Sequence, residues 1–297
     1  MSDTTTLDPA MEQRTPGRVG SGTFHRLLRS PSGLTGLLVL VVLVLLALVS
    51  VTGLLPYGPA EQNPAQRLTG PSGDHLLGTD QFGRDVLSRV AAGTGNSLLV
   101  AVVAVLIATV VGTAAGIVSG YLQGLPDTVI GGVNNVLFAF PSLLLALTLA
   151  SVLARNWFTV AIAIAVVYIP IFVRVTRGPV LSLREIDYVK AARATGMGRV
   201  GIMAHHVLPN ISGILIVQVT LSLSWAVLTE ASLSFLGFGT PPPAASLGSM
   251  VLEAQTLVMI APWTMAGPGV AVIALIVGFN LLGDGLRDAL DPTSRGR

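Results

Sequence analysis

The chain is 297 residues long, 52% hydrophobic and only 11% charged, with a net charge of +2. Ordinary soluble domains carry roughly a quarter charged residues, so a water-soluble globule is excluded. No cysteine is present, which removes disulfides, thiolate metal sites and cysteine nucleophiles together.

A helix that crosses a bilayer needs about 20 predominantly apolar residues. Uncharged runs predict six such spans, near Leu34–Leu55, Asn96–Ser119, Ile130–Leu153, Trp157–Val175, Ile211–Leu236 and Pro262–Leu282. The expected fold class is therefore an all-α polytopic membrane protein with six transmembrane helices. Residues 1–33 are polar and hold Arg14, Arg18, Arg26 and Arg29. The apolar run that follows is too long for a signal-peptide core and lacks a small-x-small cleavage site. An uncleaved first span behind a disordered cytosolic tail is the expectation, with a transmembrane domain over residues 34–292 and a short cytosolic tail over 293–297. Starting inside, six spans leave Arg67, Arg84, Arg89 and Arg155 outside and every other basic residue inside, the asymmetry that the positive-inside rule demands. The pI of 9.4 then reflects cations at helix ends against anionic headgroups of the lipid bilayer and calls for no nucleic acid.

Three extramembrane segments are long enough to carry a task. The external segment of about 56–95 opens with Pro and Gly and turns into HLLGTDQFGRDVLSRV, His75 to Val90. There Phe82, Val86, Leu87 and Val90 fall opposite Arg84, Asp85, Ser88 and Arg89, a spacing that predicts an amphipathic helix lying on the outer face. The cytosolic segment of about 177–209 holds most of the charge in the C-terminal half. The external loop of about 237–261 contains Pro241–Pro243, which rule out a helix at that point.

The side chains permit little chemistry. Lys190 is the only lysine and follows Val189, so no Gly-x-x-x-x-Gly-Lys-Ser/Thr phosphate loop exists and the chain does not hydrolyse ATP by that route. His25, His75 and the pair His205–His206 lack the spacing of a helical zinc site, and the pair reads as a polar turn near a helix end. Ionisable groups inside spans mark proton relays and ion sites. By this count only Glu230 lies within a span, near its outer end, where a packed, hydrogen-bonded or interfacial role is the simpler reading. That scarcity argues against a proton- or sodium-driven carrier. Asn134, Asn135 and a kink at Pro141 are candidates for a substrate path, although helix packing and backbone bending account for each more simply.

With no coupling chemistry in the spans, energy must arrive from a partner, and Arg184 to Asn210 is the natural docking surface. Tyr188, Ala191, Ala192 and Thr195 have helical spacing, and the two alanines let another surface approach closely. Gly196 and Gly198 break the helix, Ile202 begins a second short one, and Pro209 is expected to end it where the fifth span starts. Such an element converts a push from a soluble partner into a tilt of membrane helices.

These residues resemble the cytosolic loop of bacterial ABC importer permeases, which has paired alanines, a glycine four residues after the second, and Leu-Pro about a dozen residues further on. The matching positions are Ala191, Ala192, Gly196, Leu208 and Pro209, with Ala194 and Thr195 inside the same helix. Lys190 stands where the family usually has glutamate, so a charge contact at that position does not carry over. Three other strings narrow the resemblance to the C-type permease subunit of the dipeptide/oligopeptide (and nickel) transport family. They are HLLGTDQFGRDVLSRV, with His75, Gly78, Thr79, Asp80, Gly83, Arg84 and Asp85; TEASLSFLGFGTPPP, with Glu230, Gly237 and Gly239; and FNLLGDGLRDALDP from Phe279. The resemblance runs from about the first span to Pro292. It departs at Ser246-Leu247-Gly248, where a tryptophan is common before the glycine, which puts the shape of that outer loop in question.

The resemblance implies an ABC type I importer permease fold in the bacterial cytoplasmic (inner) membrane, with both termini cytosolic. It implies a second homologous permease subunit, two ABC ATPase subunits that carry ATP and Mg, and an extracellular or periplasmic substrate-binding protein. This chain would then be a non-catalytic translocation subunit with no cofactor of its own, moving di- or oligopeptides by alternating access. Nickel chelates, glutathione or another small solute are alternatives within that machinery, and a gradient-driven carrier or a membrane scaffold lies outside it. The pore-lining residues are not identified by any motif.

Overall fold

The computed structural model describes residues 21–290. It is all-helical. Among these residues the one extended pairing is a single bridge between Thr79 and Asp85. The helices are α1 (Ser21–Arg29), α2 (Pro31–Thr52), α3 (Val86–Leu122), α4 (Gly124–Ala139), α5 (Ser142–Val152) and α6 (Trp157–Leu183). Then come α7 (Asp187–Ala194), α8 (Arg199–Ile202), α9 (Leu208–Phe235), α10 (Leu247–Ala254) and α11 (Trp263–Leu290). Five helices are long and apolar enough to cross a membrane, and six spans result if the bent pair α4–α5 counts as one.

The core is the pairing of α3 with α6, the most extensive helix contact in the chain. Along α3, Ala104, Ala108, Gly112, Gly116 and Gly120 recur every four residues and form one buried stripe. Backbone meets backbone along it. A Cβ on Gly112 would lie 2.7 Å from the Ile169 carbonyl, and one on Gly116 would lie 2.7 Å from both the Val173 carbonyl and Thr176. Lipid tails are as apolar as leucine, so helices in a bilayer are held by close packing of small residues rather than by exclusion from water. A second close approach joins α2 to α11, where a Cβ on Gly36 would fall 2.7 Å from the Gly278 carbonyl. α9 packs against both pairs and closes the bundle.

Several boundaries differ from expectation. Of the tail expected over 1–33, residues 1–20 lie outside the described residues, as does the tail expected over 293–297. Residues 21–29 form α1 rather than disordered chain, and Ser30 caps α2 directly behind it, with Pro31 in the first turn. The third span is not one straight helix. α4 and α5 meet at 94°, because Pro141 lacks an N–H and drives Phe140 into an extended conformation (φ −93°, ψ 139°). The fourth helix continues past Val175 to Leu183, so Arg177, expected at the start of the cytosolic segment, lies on α6 together with Arg174. Pro209 does not end a helix. A π-helical turn over Met203–Val207 carries α8 into α9, and Pro209 sits in the first turn of α9, where a missing N–H costs little. The external loop contains an unanticipated helix, α10.

A leucine at Gly116 has no space against α6. Gly116→Leu is expected to lower the detergent-solubilised protein's Tm, by an overpacking cost of about 1–3 kcal/mol. Gly269→Leu, at a position whose Cβ would meet nothing within 4 Å, should leave it near the parental value.

Candidate functional site

Two groups of the sequence-predicted residues occupy opposite ends of the bundle. At the end where α3 begins, the segment His75–Asp85 is a buried, hydrogen-bonded turn rather than an amphipathic helix, and α3 starts only at Val86. The reason is local. Asp80 accepts from the backbone N–H groups of Phe82 (2.8 Å) and Arg84 (3.0 Å), and Gly83 adopts φ +73°, so a turn competes successfully with the helix. Gly78 also has positive φ (+71°), and a Cβ there would run 2.7 Å from the Thr69 carbonyl. Asp85 then caps α3, accepting from Ser88 N at 2.8 Å, while its other oxygen accepts from His75 Nδ1 at 2.9 Å. His75 Nε2 lies 3.1 Å from Gln66 Oε1, and its ring stacks on Tyr57.

This turn is bolted to the other external loop. Asp80 Oδ2 accepts from Arg84 Nε at 2.6 Å and from Arg89 Nη1 at 2.5 Å, and Glu253 on α10 accepts from the same two arginines at 2.8 Å each. Trp263 Nε1 donates to the Thr79 carbonyl at 3.1 Å and adds α11 to the assembly. Two carboxylates facing two guanidiniums leave the cluster neutral. Arg89, Glu253 and Trp263 carry it as much as Asp80 and Arg84 do, yet none was singled out from the sequence. Glu253 is the sole carboxylate of its loop, which is the signal that could have found it.

Glu230, on α9, is fully buried and accepts from Ser97 Oγ (2.6 Å, on α3) and Ser234 Oγ (2.7 Å), the packed and hydrogen-bonded role expected for it. Gly237, at φ +85°, ends α9 with Phe238 N donating to the Leu233 carbonyl at 2.8 Å, and Gly239 turns back against Ser234. The departure at Ser246-Leu247-Gly248 has a clear structure. Ser246 caps α10 in a reciprocal pair with Ser249, and Gly248 presses onto the Ala231 carbonyl, where a Cβ would not fit.

At the opposite end lies the segment expected to dock a partner. Lys190, Ala191, Ala194, Thr195 and Gly196 are exposed and Ala192 is partly so, while Val189, on the other side of α7, is completely buried. Gly196 has φ +85° and closes the α7 turn. Three membrane helices converge on this element. Arg193 lies over the Tyr121 ring and donates to its hydroxyl at 3.3 Å, Arg184 donates to the Tyr121 carbonyl at 3.1 Å, and Asn210 Nδ2 donates to Tyr188 Oη at 2.9 Å. α7 is thereby fastened to the end of α3 and the start of α9, while Arg184 ties the end of α6 to α3. Lys190 meets only Glu185, at 3.6 Å on the surface, a pair worth little. Leu208 is half-exposed at the entrance to α9.

The outer cluster sets a pH dependence. Burial acts to raise the pKa of Asp80, but the backbone donations from Arg84 and Phe82 and the charges of Arg84 and Arg89 together hold it below its ordinary 3.8. A depressed carboxylate contributes stability above its unfolded pKa and loses it as pH falls through the folded value. The outer turn is therefore expected to stay protected from hydrogen exchange at neutral pH and to open only below pH ~4. Asp80→Asn should open it at neutral pH, at a cost of about 3 kcal/mol for two arginines left facing one carboxylate.

Comparison with known proteins accords with these features. Residues 112–296 match the family described as binding-protein-dependent transport system inner membrane component, and residues 20–71 match the N-terminal TM domain of oligopeptide transport permease C. The dipeptide transport system permease protein DppC of Alkalihalophilus pseudofirmus is 41% identical over 78% of this chain and 77% of its own length. DppC of Haemophilus influenzae is 39% identical over 80% and 83%, respectively. The glutathione transport system permease protein GsiD of Pectobacterium atrosepticum is 38% identical over 80% of each chain. A multi-pass helical bundle with these matches across most of its length belongs to the ABC transporter permeases, as a C-type subunit of the dipeptide/oligopeptide transport family.

Proposed function

We propose that this chain is one of two permease subunits of an ATP-driven importer that carries di- or oligopeptides across the bacterial cytoplasmic membrane. The observation that carries the reading is α7: exposed small residues at Ala191, Ala194, Thr195 and Gly196 on a helix that follows α6 directly and is hydrogen-bonded to the end of α3 and the start of α9. An ABC ATPase seated on that surface moves three membrane helices at once. ATP binding by the paired ATPases draws α7 with it and opens the path outward to an external binding protein, and hydrolysis resets it inward. ATP and Mg stay on the partner subunits, and both termini face the cytosol, as the arginine asymmetry requires.

The peptide cargo follows from the DppC relatives, while the GsiD relative keeps a glutathione-like cargo as the second reading. Glutathione is itself a tripeptide, so both cargoes share free carboxylates and peptide groups.

Gly196→Trp tests the docking surface. Its Cβ site is open, so a tryptophan projects into the partner's space, and its φ of +85° is strained for any other residue. Membrane insertion should persist, whereas affinity purification of the tagged variant should recover less than about a tenth of the P-loop ATPase that co-purifies with the parent, and ATP-dependent uptake should vanish. Normal uptake by the variant would sink the docking model.

A further inference from the structure

A cleft of ≈ 710 Å³ opens between α4 and α6, lined among others by Ser119, Asp127, Asn134, Asn135, Arg174 and Arg177. On α4 its lining is one face. Asp127, Gly131 and Asn134, with Thr128, Gly132 and Asn135 beside them, recur at three- and four-residue spacing, while Val129, Val133 and Val136 are exposed on the other side. A polar face on a membrane helix is turned toward protein or a water-filled cavity, not toward lipid tails. Asp127 and Arg177 form a two-point pair at 2.7 and 2.8 Å and cancel one another's charge. Arg174 is not cancelled. It is exposed, and among the described residues its contact is with the Phe138 ring, 4.1 Å from the centroid. Nine residues separate it from the end of α6 at Leu183, so it lies about 13 Å inside from that end.

We propose that this cleft is a cargo subsite, in which Arg174 receives the α-carboxylate of a peptide and the exposed amide of Asn135 faces its peptide group, while Asn134, buried and donating to the Pro170 carbonyl at 3.4 Å, holds α4 against α6. The inference rests on the peptide-import reading above. The cleft falls in the size range of small-molecule sites, and its net charge of one cation selects an anion. A planar guanidinium matches a carboxylate through two parallel hydrogen bonds, and a side-chain amide offers both a donor and an acceptor to a peptide unit. Asn135 lies eight residues beyond Asp127 along α4, about 12 Å further along the helix, and Arg174 sits against Phe138 beyond that. A phospholipid phosphate carries the same negative charge as a carboxylate, and the test separates the two sources.

The test uses the purified complex with its partner permease and ATPases, and equilibrium binding of radiolabelled dialanine and its C-terminal amide. The parent should bind dialanine about tenfold more tightly than the amide, the size of one charge-assisted hydrogen bond. Arg174→Gln should bring that ratio to about one and Arg174→Lys should restore most of it. Asn135→Leu should weaken both ligands alike. An unchanged ratio in Arg174→Gln, or no binding of either ligand by the parent, overturns the subsite. Loss of co-purifying anionic phospholipid in Arg174→Gln with dialanine binding intact also overturns it, in favour of a lipid site. Dialanine uptake by the parent complex in proteoliposomes decides the import reading separately, since a complex that imports dialanine with an indifferent Arg174 keeps that reading and loses only the subsite.

Discussion

The backbone-to-backbone contact of α3 with α6 is the constraint on which the rest of the molecule depends. In a bilayer no water is expelled when two apolar helices meet, so stability rests on dispersion contacts and on weak interactions between close backbones. The stripe Ala104, Ala108, Gly112, Gly116, Gly120 brings α6 near enough for these to accumulate. Two of the hydrogen-bonded assemblies are then hung on the two ends of that pair. Asp85 and Arg89 begin α3 at one end, and Tyr121 and Arg184 finish α3 and α6 at the other.

The two ends are built on different physics. At the outer end, charges are drawn out of water and must be answered, so Asp80, Arg84, Arg89 and Glu253 close on each other with short hydrogen bonds and hold two loops far apart in sequence. At the opposite end α7 leaves Ala191, Ala194, Thr195 and Gly196 exposed beside the charged Lys190 and Arg193, and only a few hydrogen bonds, from Arg193 to Tyr121 and from Asn210 to Tyr188, tie it to the bundle.

Much of the candidate site was legible in the sequence because its residues lie within single strings. The alanine pair, Gly196 and Leu208-Pro209 announce the docking element, and the positive φ values at Gly78, Gly83 and Gly237 explain why those strings carry glycine. The amphipathic reading of Phe82 to Val90 failed for a physical reason. Its apolar spacing is real from Val86 onward, but the Asp80 side chain captures the backbone N–H groups of Phe82 and Arg84 before the helix begins. The apolar run also gave no sign that the fourth helix continues past Val175: α6 extends to Leu183 and carries Arg177 on the Asp127 pair and Arg174 against the Phe138 ring, contacts made with a different helix.

The sequence by itself determined that the chain is a multi-pass membrane protein and to which family of permeases it belongs. Those conclusions rest on composition, on runs of apolar residues and on local strings, all of which are properties of neighbours along the chain. Tertiary structure alone decided that α4 and α5 break at 94°, that Glu253 and Trp263 lock the outer turn, that α3 and α9 share the anchoring of α7, and that Arg174 faces a polar cleft. Each of these depends on groups from distant parts of the chain meeting at distances that only packing sets.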